Sequence, residues 1–193
     1  MARTDLEIIE LVHAGDSSVF RELVLRYQDR GFSLAMRLLR NREDAEEALQ
    51  DAFIRAYNGL GGFRQDAKFG TWFYRIVYNV CLTRIDRTRT FPTQETVADV
   101  DEDIALEVAG DGPTPIDELE QRELAVFVRT EVGKMPDHYR VVLSLFYLQE
   151  LSCEEIGEVV GLPVGTVKTH LFRARSVLHN QLSRSFTGKE LLL

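Results

Sequence analysis

The sequence predicts an all-α protein of two small helical domains joined by an acidic flexible linker. Apolar residues recur at steps of three and four, no segment between turn signals alternates between apolar and polar residues, and one stretch concentrates acids, glycines and prolines. The chain has 193 residues, 45% of them hydrophobic, which is enough to build a core. We expect an N-terminal domain over residues 1–90, a linker over 91–117 and a C-terminal helix-turn-helix domain over 118–193.

Four helices are predicted in the N-terminal domain. Thr4 and Glu7 form a capping box that begins the first, and the break around Asp16 separates it from a second helix that runs towards residue 39. The third helix has an acidic first turn, where the helix dipole favours anions, and an unbroken apolar stripe. The stripe consists of Ala45, Ala48, Leu49, Ala52, Phe53, Ala56, Tyr57 and Leu60. A fourth helix is expected over residues 71–86.

The C-terminal domain ends in a predicted helix-turn-helix. One helix is expected over residues 116–132, and Pro136 begins the next because its missing N–H costs little there. The spacing Ser152-x-x-Glu155 is a second capping box, Gly161 ends the short helix that it begins, and a long helix follows. Gly157 provides the small residue that a close crossing of two helices needs.

The long helix of this motif carries its basic residues on one side. No acid occurs between Gly161 and Lys189. Arg and Lys contact guanine edges and phosphates, so this polarity is typical of a recognition helix in the major groove. The residues on or near this face are Lys168, Thr169, His170, Phe172, Arg173 and Arg175. The alternative is a helical hairpin with a solvated basic face, and Phe172 alone fits partial packing equally well.

The net charge of −8 belongs to one segment and does not exclude a nucleic-acid partner. Nine of the 31 acids lie between residues 91 and 118, where there is no Lys or Arg, so the other 22 acids nearly balance the 23 bases. Glycine and proline in the same stretch favour a linker.

A second basic segment lies between residues 64 and 90. It has six bases and two acids, and its aromatic residues are Phe69, Trp72, Phe73, Tyr74 and Tyr78. Such a composition is typical of a surface that binds single-stranded nucleic acid, because cationic side chains contact phosphates and aromatic rings stack on bases. At least half of these aromatics are expected in the core instead. Asn79 is either a buried structural amide or a reader of a base edge.

The sequence gives little support to other classes of protein. Cys81 and Cys153 lie far apart in sequence and form no zinc-ligand spacing or disulfide framework, so we expect no metal, no cofactor and a reducing cytoplasm. No apolar run reaches the ~18 residues that a membrane span needs, and no secretory signal is evident. Four acids near the start of the third helix do not converge on a pocket as a nuclease requires, and we expect no enzyme.

Three runs together resemble the extracytoplasmic-function (ECF) class of bacterial RNA polymerase sigma factors in the sigma-70 family. They are EDAEEALQDAF at residues 43–53, FGTWFYRI at 69–76 with Asn79, and PVGTVKTHLFRAR at 163–175. They occur in the order and at the spacing of the family. The resemblance implies two helical domains and a promoter-specific initiation factor, often for a stress response, without covalent chemistry.

The resemblance also implies roles for particular residues. The surface that docks on the clamp helices of the polymerase β′ subunit is Asp44, Gln50, Asp51, Phe53 and Arg55. The surface for the minus-ten element, which captures a flipped base, is Arg64, Lys68, Phe69, Trp72, Arg75, Asn79 and Arg84. The surface for the minus-thirty-five element is Thr166, Lys168, Thr169, His170, Phe172, Arg173 and Arg175.

Further partners are implied by the same resemblance. They are the polymerase β flap, promoter DNA as duplex and as melted strand, and an anti-sigma factor, with no membrane insertion. The linker is implied to pass through the polymerase, where its uncompensated acids would mimic an RNA backbone. A merely soluble tether is the alternative for the linker.

A competing hypothesis is a two-domain regulator that uses the same helix-turn-helix without polymerase. Such a regulator binds its operator alone, usually as a dimer on paired half-sites. A sigma factor binds promoters weakly alone and strongly with core polymerase.

Overall fold

The computed structural model describes residues 3–64, 66–90 and 115–190, with side chains described for 3–64, 66–87 and 125–184. Within these residues the regular structure consists of eight α-helices and two short 3-10 turns, without a strand. The prediction of an all-α fold is confirmed. Most of the predicted linker, and the terminal leucines 191–193, lie outside the described residues.

The N-terminal half contains α1 (Asp5–His13), α2 (Phe20–Leu39), α3 (Arg42–Gly59) and α4 (Phe69–Thr90). The predicted capping box begins α1, because the Thr4 N–H donates to Glu7 Oε2 at 2.6 Å and the Glu7 N–H donates to Thr4 Oγ1 at 3.3 Å. Asn41 caps α3 by accepting from the Asp44 N–H at 3.0 Å.

Aromatic side chains fill the centre of this half. Phe69, Phe73 and Tyr74 of α4 are at most 2% exposed, which confirms that at least half of the aromatics in this segment belong to the core. Gly31 lets α2 approach α3, since a Cβ there would lie 2.7 Å from Leu49 Cδ1. Tyr57, predicted in the apolar stripe of α3, is instead 42% exposed because it lies near the end of the helix, where its ring packs edge-on against Phe20.

The C-terminal half contains α5 (Pro115–Lys134), α6 (Asp137–Tyr147), α7 (Cys153–Val160) and α8 (Val164–Glu190). Helix α5 begins at a proline, whose fixed φ suits a first helical position. Pro136 precedes α6 as its N-cap and is not its first helical residue, a difference of one position from the prediction.

Helices α7 and α8 form the predicted helix-turn-helix. Ser152 and Glu155 make the expected capping box, and Gly161 ends α7 in a left-handed conformation with φ 71°. A Cβ on Gly157 would lie 2.8 Å from the carbonyl oxygen of Leu162 in the turn. The requirement for a small residue at this position is therefore confirmed, and the group that imposes it is the backbone of the turn.

The two halves pack against each other. Helix α7 lies against α4, and α6 lies against α2. Two polar residues of the C-terminal half, Arg140 and Gln149, are at most 4% exposed and donate hydrogen bonds to backbone carbonyls of α2. The basic faces of α4 and α8 remain open to solvent in this arrangement. In the described part of the chain, no helix combines the length and the apolar character needed to cross a bilayer.

Candidate nucleic-acid and polymerase interfaces

Helix α8 presents a polar face directly opposite its buried row. Val167, Leu171 and Ala174 are at most 3% exposed and pack the helix onto α6 and α7. The exposed side chains of the first turns, apart from the glycine at 165, are Lys168, Thr169, Phe172 and Arg173. The Phe172 ring is 71% exposed, so partial packing does not account for it. These four side chains form a continuous surface that a DNA groove can contact.

His170 faces α6 rather than solvent alone. Its ring centroid lies 4.9 Å from that of His138 and 5.6 Å from that of Tyr139. Its Nδ1 is buried and has no hydrogen-bond partner among the residues that the structure describes. Partial burial, the neighbouring His138 and the charge of Arg173 together lower the pKa of His170. The imidazole therefore favours its neutral form in this position.

Thr166 and Arg175 lie at the margins of the α8 face. The Arg175 guanidinium lies 5.0 Å from the Phe146 ring centroid and 5.4 Å from that of Tyr147, so it points back towards the end of α6. Thr166, one turn before His170, is half-buried. A phosphate contact by either residue stays a prediction.

A second face runs along α4 at steps of four, three and four. It consists of Lys68, Trp72, Arg75 and Asn79, which is the spacing of one side of a helix. Arg75 and Asn79 are exposed, which excludes the reading of Asn79 as a buried amide. The Trp72 ring is half-buried, with centroid distances of 5.2 Å to Phe63 and 5.6 Å to Phe69. Cations, an amide and a fixed indole edge are thus brought together on one surface.

Three residues of the predicted minus-ten set lie apart from this face. Phe69 is 2% exposed and packs among other aromatics, so its ring offers no surface to a base in this conformation. Arg84 continues the buried row of α4 and turns towards α3, five positions beyond Asn79. Arg64 precedes α4, is exposed and lies 3.4 Å from Asp66.

An open groove of about 500 Å³ lies between α3 and α4. Three of the five predicted docking residues, Asp44, Asp51 and Arg55, contribute to its walls. Gln50 is exposed on the same helix. Phe53 is half-buried and stacks on Phe73 with ring centroids 4.5 Å apart, so most of its surface is committed to the core.

Sequence reasoning missed several residues of these surfaces. His138 belongs to no motif, and only the fold brings it to α8. Glu155 was assigned only to a capping box, although it also contacts α4. The sequence did contain a signal that Arg140 contacts other segments. It is a cation among the apolar residues of α6, and a buried cation needs hydrogen-bond acceptors.

Comparison of the sequence with known proteins shows the family to which this chain belongs. The sigma-70 region 2 family matches residues 23–90, and the family of sigma-70, region 4 matches residues 128–178. The ECF RNA polymerase sigma factor SigW of Bacillus subtilis (strain 168) is 38% identical over 176 residues, which covers 90% of this chain and 94% of SigW. The chain belongs to the ECF family of RNA polymerase sigma factors.

Other relatives agree with this membership. The ECF RNA polymerase sigma-E factor of Escherichia coli (strain K12) is 34% identical, covering 93% of this chain and 94% of that protein. The solved structure of CnrH in complex with the cytosolic domain of CnrY has a TM-score of 0.63 and 23% identity, covering 93% of this chain and 97% of CnrH. This likeness supports the fold.

As an ECF sigma factor, this chain is a promoter-directing transcription initiation factor and not an enzyme. The region 2 match ends with α4, and the region 4 match extends from the last turns of α5 into α8. Both predicted DNA faces and the groove beside α3 lie within the matched residues.

Proposed function

We propose that this sigma factor uses three separate surfaces: the groove beside α3 for core polymerase, the face of α4 for the minus-ten element and the face of α8 for the minus-thirty-five element. The observation that carries the proposal is the exposed row on α8, held outward by a buried row on the same helix. We propose domain limits of 1–90 and 118–193, with one DNA face in each domain.

The α8 face supports reading of duplex DNA. Lys168 and Arg173 supply charged donors for guanine edges and phosphates, and Phe172 supplies an apolar surface for a thymine methyl group or a sugar. The Thr169 hydroxyl donates to the Gly165 carbonyl at 2.8 Å, which leaves its oxygen free to accept. Such a face contacts bases when the first turns of the helix enter the major groove.

The α4 face supports capture of a melted strand. Arg75 attracts phosphates, the Asn79 amide can both donate and accept at a base edge, and the Trp72 ring edge provides an aromatic surface. We assign Phe69 to supporting Trp72 from below, because its own ring is buried. We assign Arg84 to holding α3 against α4.

The groove beside α3 supports docking on the clamp helices of β′. Asp44 and Asp51 on one wall, with Arg55 and Arg84 nearby, present a pattern of mixed charge to an incoming helix. Phe53 contributes through its stack on Phe73, which keeps α3 in register with α4.

The further partners follow from the family. We propose the polymerase β flap as a partner of the C-terminal domain, an anti-sigma factor as a regulator, and the cytoplasm as the location, since RNA polymerase works there. One solved relative with a similar fold, RpoE of Bartonella quintana, was obtained in complex with the anti-sigma factor NepR, and another, CnrH, in complex with the cytosolic domain of CnrY.

Site-specific photo-crosslinking tests the placement of the two DNA faces. A photoreactive phenylalanine analogue is placed at position 172, 79 or 25 of the full chain, and holoenzyme is formed on a promoter mapped by run-off transcription. We expect position 172 to crosslink near the minus-thirty-five element and position 79 near the minus-ten element. Leu25, exposed on α2, is the control and should not crosslink DNA. Crosslinks from 172 or 79 no stronger than those from 25 would contradict the assignment.

A further inference from the structure

Two of the four histidines of the chain lie in contact at one edge of the α8 face. His138, in the first turn of α6, is exposed, and its ring centroid lies 4.9 Å from that of His170. The Tyr139 ring packs against both, with its centroid 4.1 Å from that of His138 and 5.6 Å from that of His170. Helices α6 and α8 therefore bring together a histidine pair, His138 and His170, of which His138 belongs to none of the surfaces in the proposed function.

The histidine pair borders the residues that are proposed to contact DNA. Thr166 precedes His170 by four positions and Arg173 follows it by three, so all three lie along the edge of α8 that faces α6. When a recognition helix enters the major groove, its edges lie near the two phosphate backbones, and phosphate contacts there set its register. With the α8 face in the groove, as proposed, His138 and His170 lie beside one of these backbones.

The charge beside the histidine pair is positive. Partial burial, the neighbouring His138 and the Arg173 guanidinium all lower the pKa of His170. Among the residues that the structure describes, neither imidazole has an ion-pair partner. A proton on the pair is thus a cation placed beside a cation.

The described acids of the helices that pack against α8 are paired elsewhere or lie in solvent. They are Asp137 of α6, which accepts from Arg140 at 2.6 Å, Glu131 of α5, which accepts from Lys134 at 2.6 Å, and Glu155 of α7, which pairs with Lys68 at 3.1 Å. Glu154 and Glu158 of α7 are exposed. Helix α8 itself has no acid before Glu190. A DNA phosphate, brought close as the α8 face binds, would therefore supply the anion that the pair lacks.

We propose that His138 and His170 jointly contact a phosphate of the minus-thirty-five element, and that the pair takes up one proton as DNA binds. The proposal rests on the α8 assignment of the proposed function, and it adds His138 and a dependence on pH. An anion stabilises the protonated form of an imidazole, and because the two rings are in contact the proton belongs to the pair. Uptake of one proton strengthens binding by at most about tenfold for each unit by which the pH falls.

The alternative is that the two rings only pack α6 against α8. Glutamine has a polar side chain that does not titrate, so H138Q and H170Q remove the proton and retain a group that forms hydrogen bonds. His179 is an exposed histidine of the same helix, nine positions beyond His170, so H179Q removes a titrating group away from the pair. If the rings only pack, H138Q lowers the free energy of unfolding and leaves the pH dependence of DNA binding unchanged.

The first test measures the affinity of holoenzyme, formed with each full-length variant, for its promoter at about pH 6 and about pH 7.5 and at one salt concentration. The measured quantity is the ratio of the two affinities, which cancels the titration of groups that the variants share. We expect this ratio to be about three- to tenfold larger for wild type and H179Q than for H138Q and H170Q. Thermal unfolding at both pH values shows that each variant is folded.

The second test uses calorimetry to show where the proton is taken up. Holoenzyme binding is measured in two buffers of different ionisation enthalpy, on the full promoter and on a short fragment that ends downstream of the minus-thirty-five element. We expect wild type to take up more protons than H170Q on the full promoter. On the short fragment the two proteins should take up the same number.

A pH dependence of H170Q equal to that of wild type would overturn the proposal, and so would an unchanged pH dependence of H138Q. A difference between wild type and H170Q that persists on the short fragment would place the proton elsewhere and would also overturn it. The proposed function is tested separately, because it requires only that wild type binds the full promoter more tightly than the short fragment. Equal binding of the two fragments contradicts the α8 assignment, whereas histidine variants that keep the wild-type pH dependence contradict this proposal alone.

Discussion

Arg84 Nη2 on α4 donates a hydrogen bond of 2.7 Å to Asp51 Oδ2 on α3, and Arg84 Nη1 reaches Glu47 Oε2 at 2.9 Å. The helix that carries the proposed minus-ten face is therefore tied to the helix that lines the proposed docking groove. Partial burial opposes the charge of Arg84, but the two carboxylates outweigh it and raise its pKa. Polymerase bound at the groove, as proposed, would thus affect the orientation of α4.

Asp51→Arg should weaken association with core polymerase by at least about tenfold, because like charges brought together at an interface cost several kcal/mol. The substitution also places a cation beside Arg84. Affinity for purified core enzyme is the measurement, with thermal unfolding to confirm a folded protein. Glu43→Arg, an equal charge reversal at an exposed position of α3 outside the groove, should bind nearly as wild type. If both variants bind core equally well, the groove is not the docking surface.

Arg173→Ala should cost about 1–3 kcal/mol in holoenzyme binding to its promoter, because the side chain is exposed on the proposed reading face of α8. Arg175→Ala should cost less, since that guanidinium packs over Phe146 and Tyr147. The affinity of holoenzyme with each variant is measured on the promoter and on DNA with a scrambled upstream element. Equal losses of affinity on the two DNAs would show that Arg173 contacts phosphates and does not read a base.

Acidification should destabilise the protein through His170. Its pKa is lowered in the folded state from the ordinary 6.5, so the unfolded chain takes up the proton first as the pH falls. The free energy of unfolding should therefore fall between about pH 7.5 and about pH 5.5 more steeply in wild type than in His170→Gln. Denaturant titrations at the two pH values give the comparison. Identical pH slopes would show that His170 is not held neutral.

Two glycine substitutions in the helix-turn-helix should change the free energy of unfolding in opposite directions. Gly157→Ala places a Cβ 2.8 Å from the Leu162 carbonyl oxygen and should destabilise the protein by about 1–3 kcal/mol. Gly165→Ala, in the first turn of α8 with nothing within 4 Å of its Cβ, should stabilise it by about 0.5–1 kcal/mol. Chemical denaturation measures both. A stabilising Gly157→Ala would show that the turn is looser than the structure has it.

The helices and their order could be predicted because the signals are local. The capping boxes at Thr4 and Ser152 and the helix end at Gly161 depend on residues within one turn of each other. The exposed face of α8 followed from the same periodicity.

Contacts between distant segments could not be predicted in this way. Nothing near Arg84 in the sequence shows that its partner is Asp51, 33 positions earlier, rather than DNA. His170 was predicted as a reader of bases, but its ring lies against His138, which is 32 positions away. The burial of Phe69 depends on how α4 packs against α2, and a pattern of aromatics and bases does not contain that information.

The central claim is that this chain confers promoter specificity on core RNA polymerase, and run-off transcription tests it most directly. Core enzyme alone and core enzyme with the purified chain are compared on the same DNA fragments, and start sites are mapped. We predict new transcripts only with the chain present, from start sites that share one upstream and one downstream element, and their loss with Asp51→Arg. The same transcripts with and without the chain, or specific DNA binding by the chain alone as a dimer, would contradict the account.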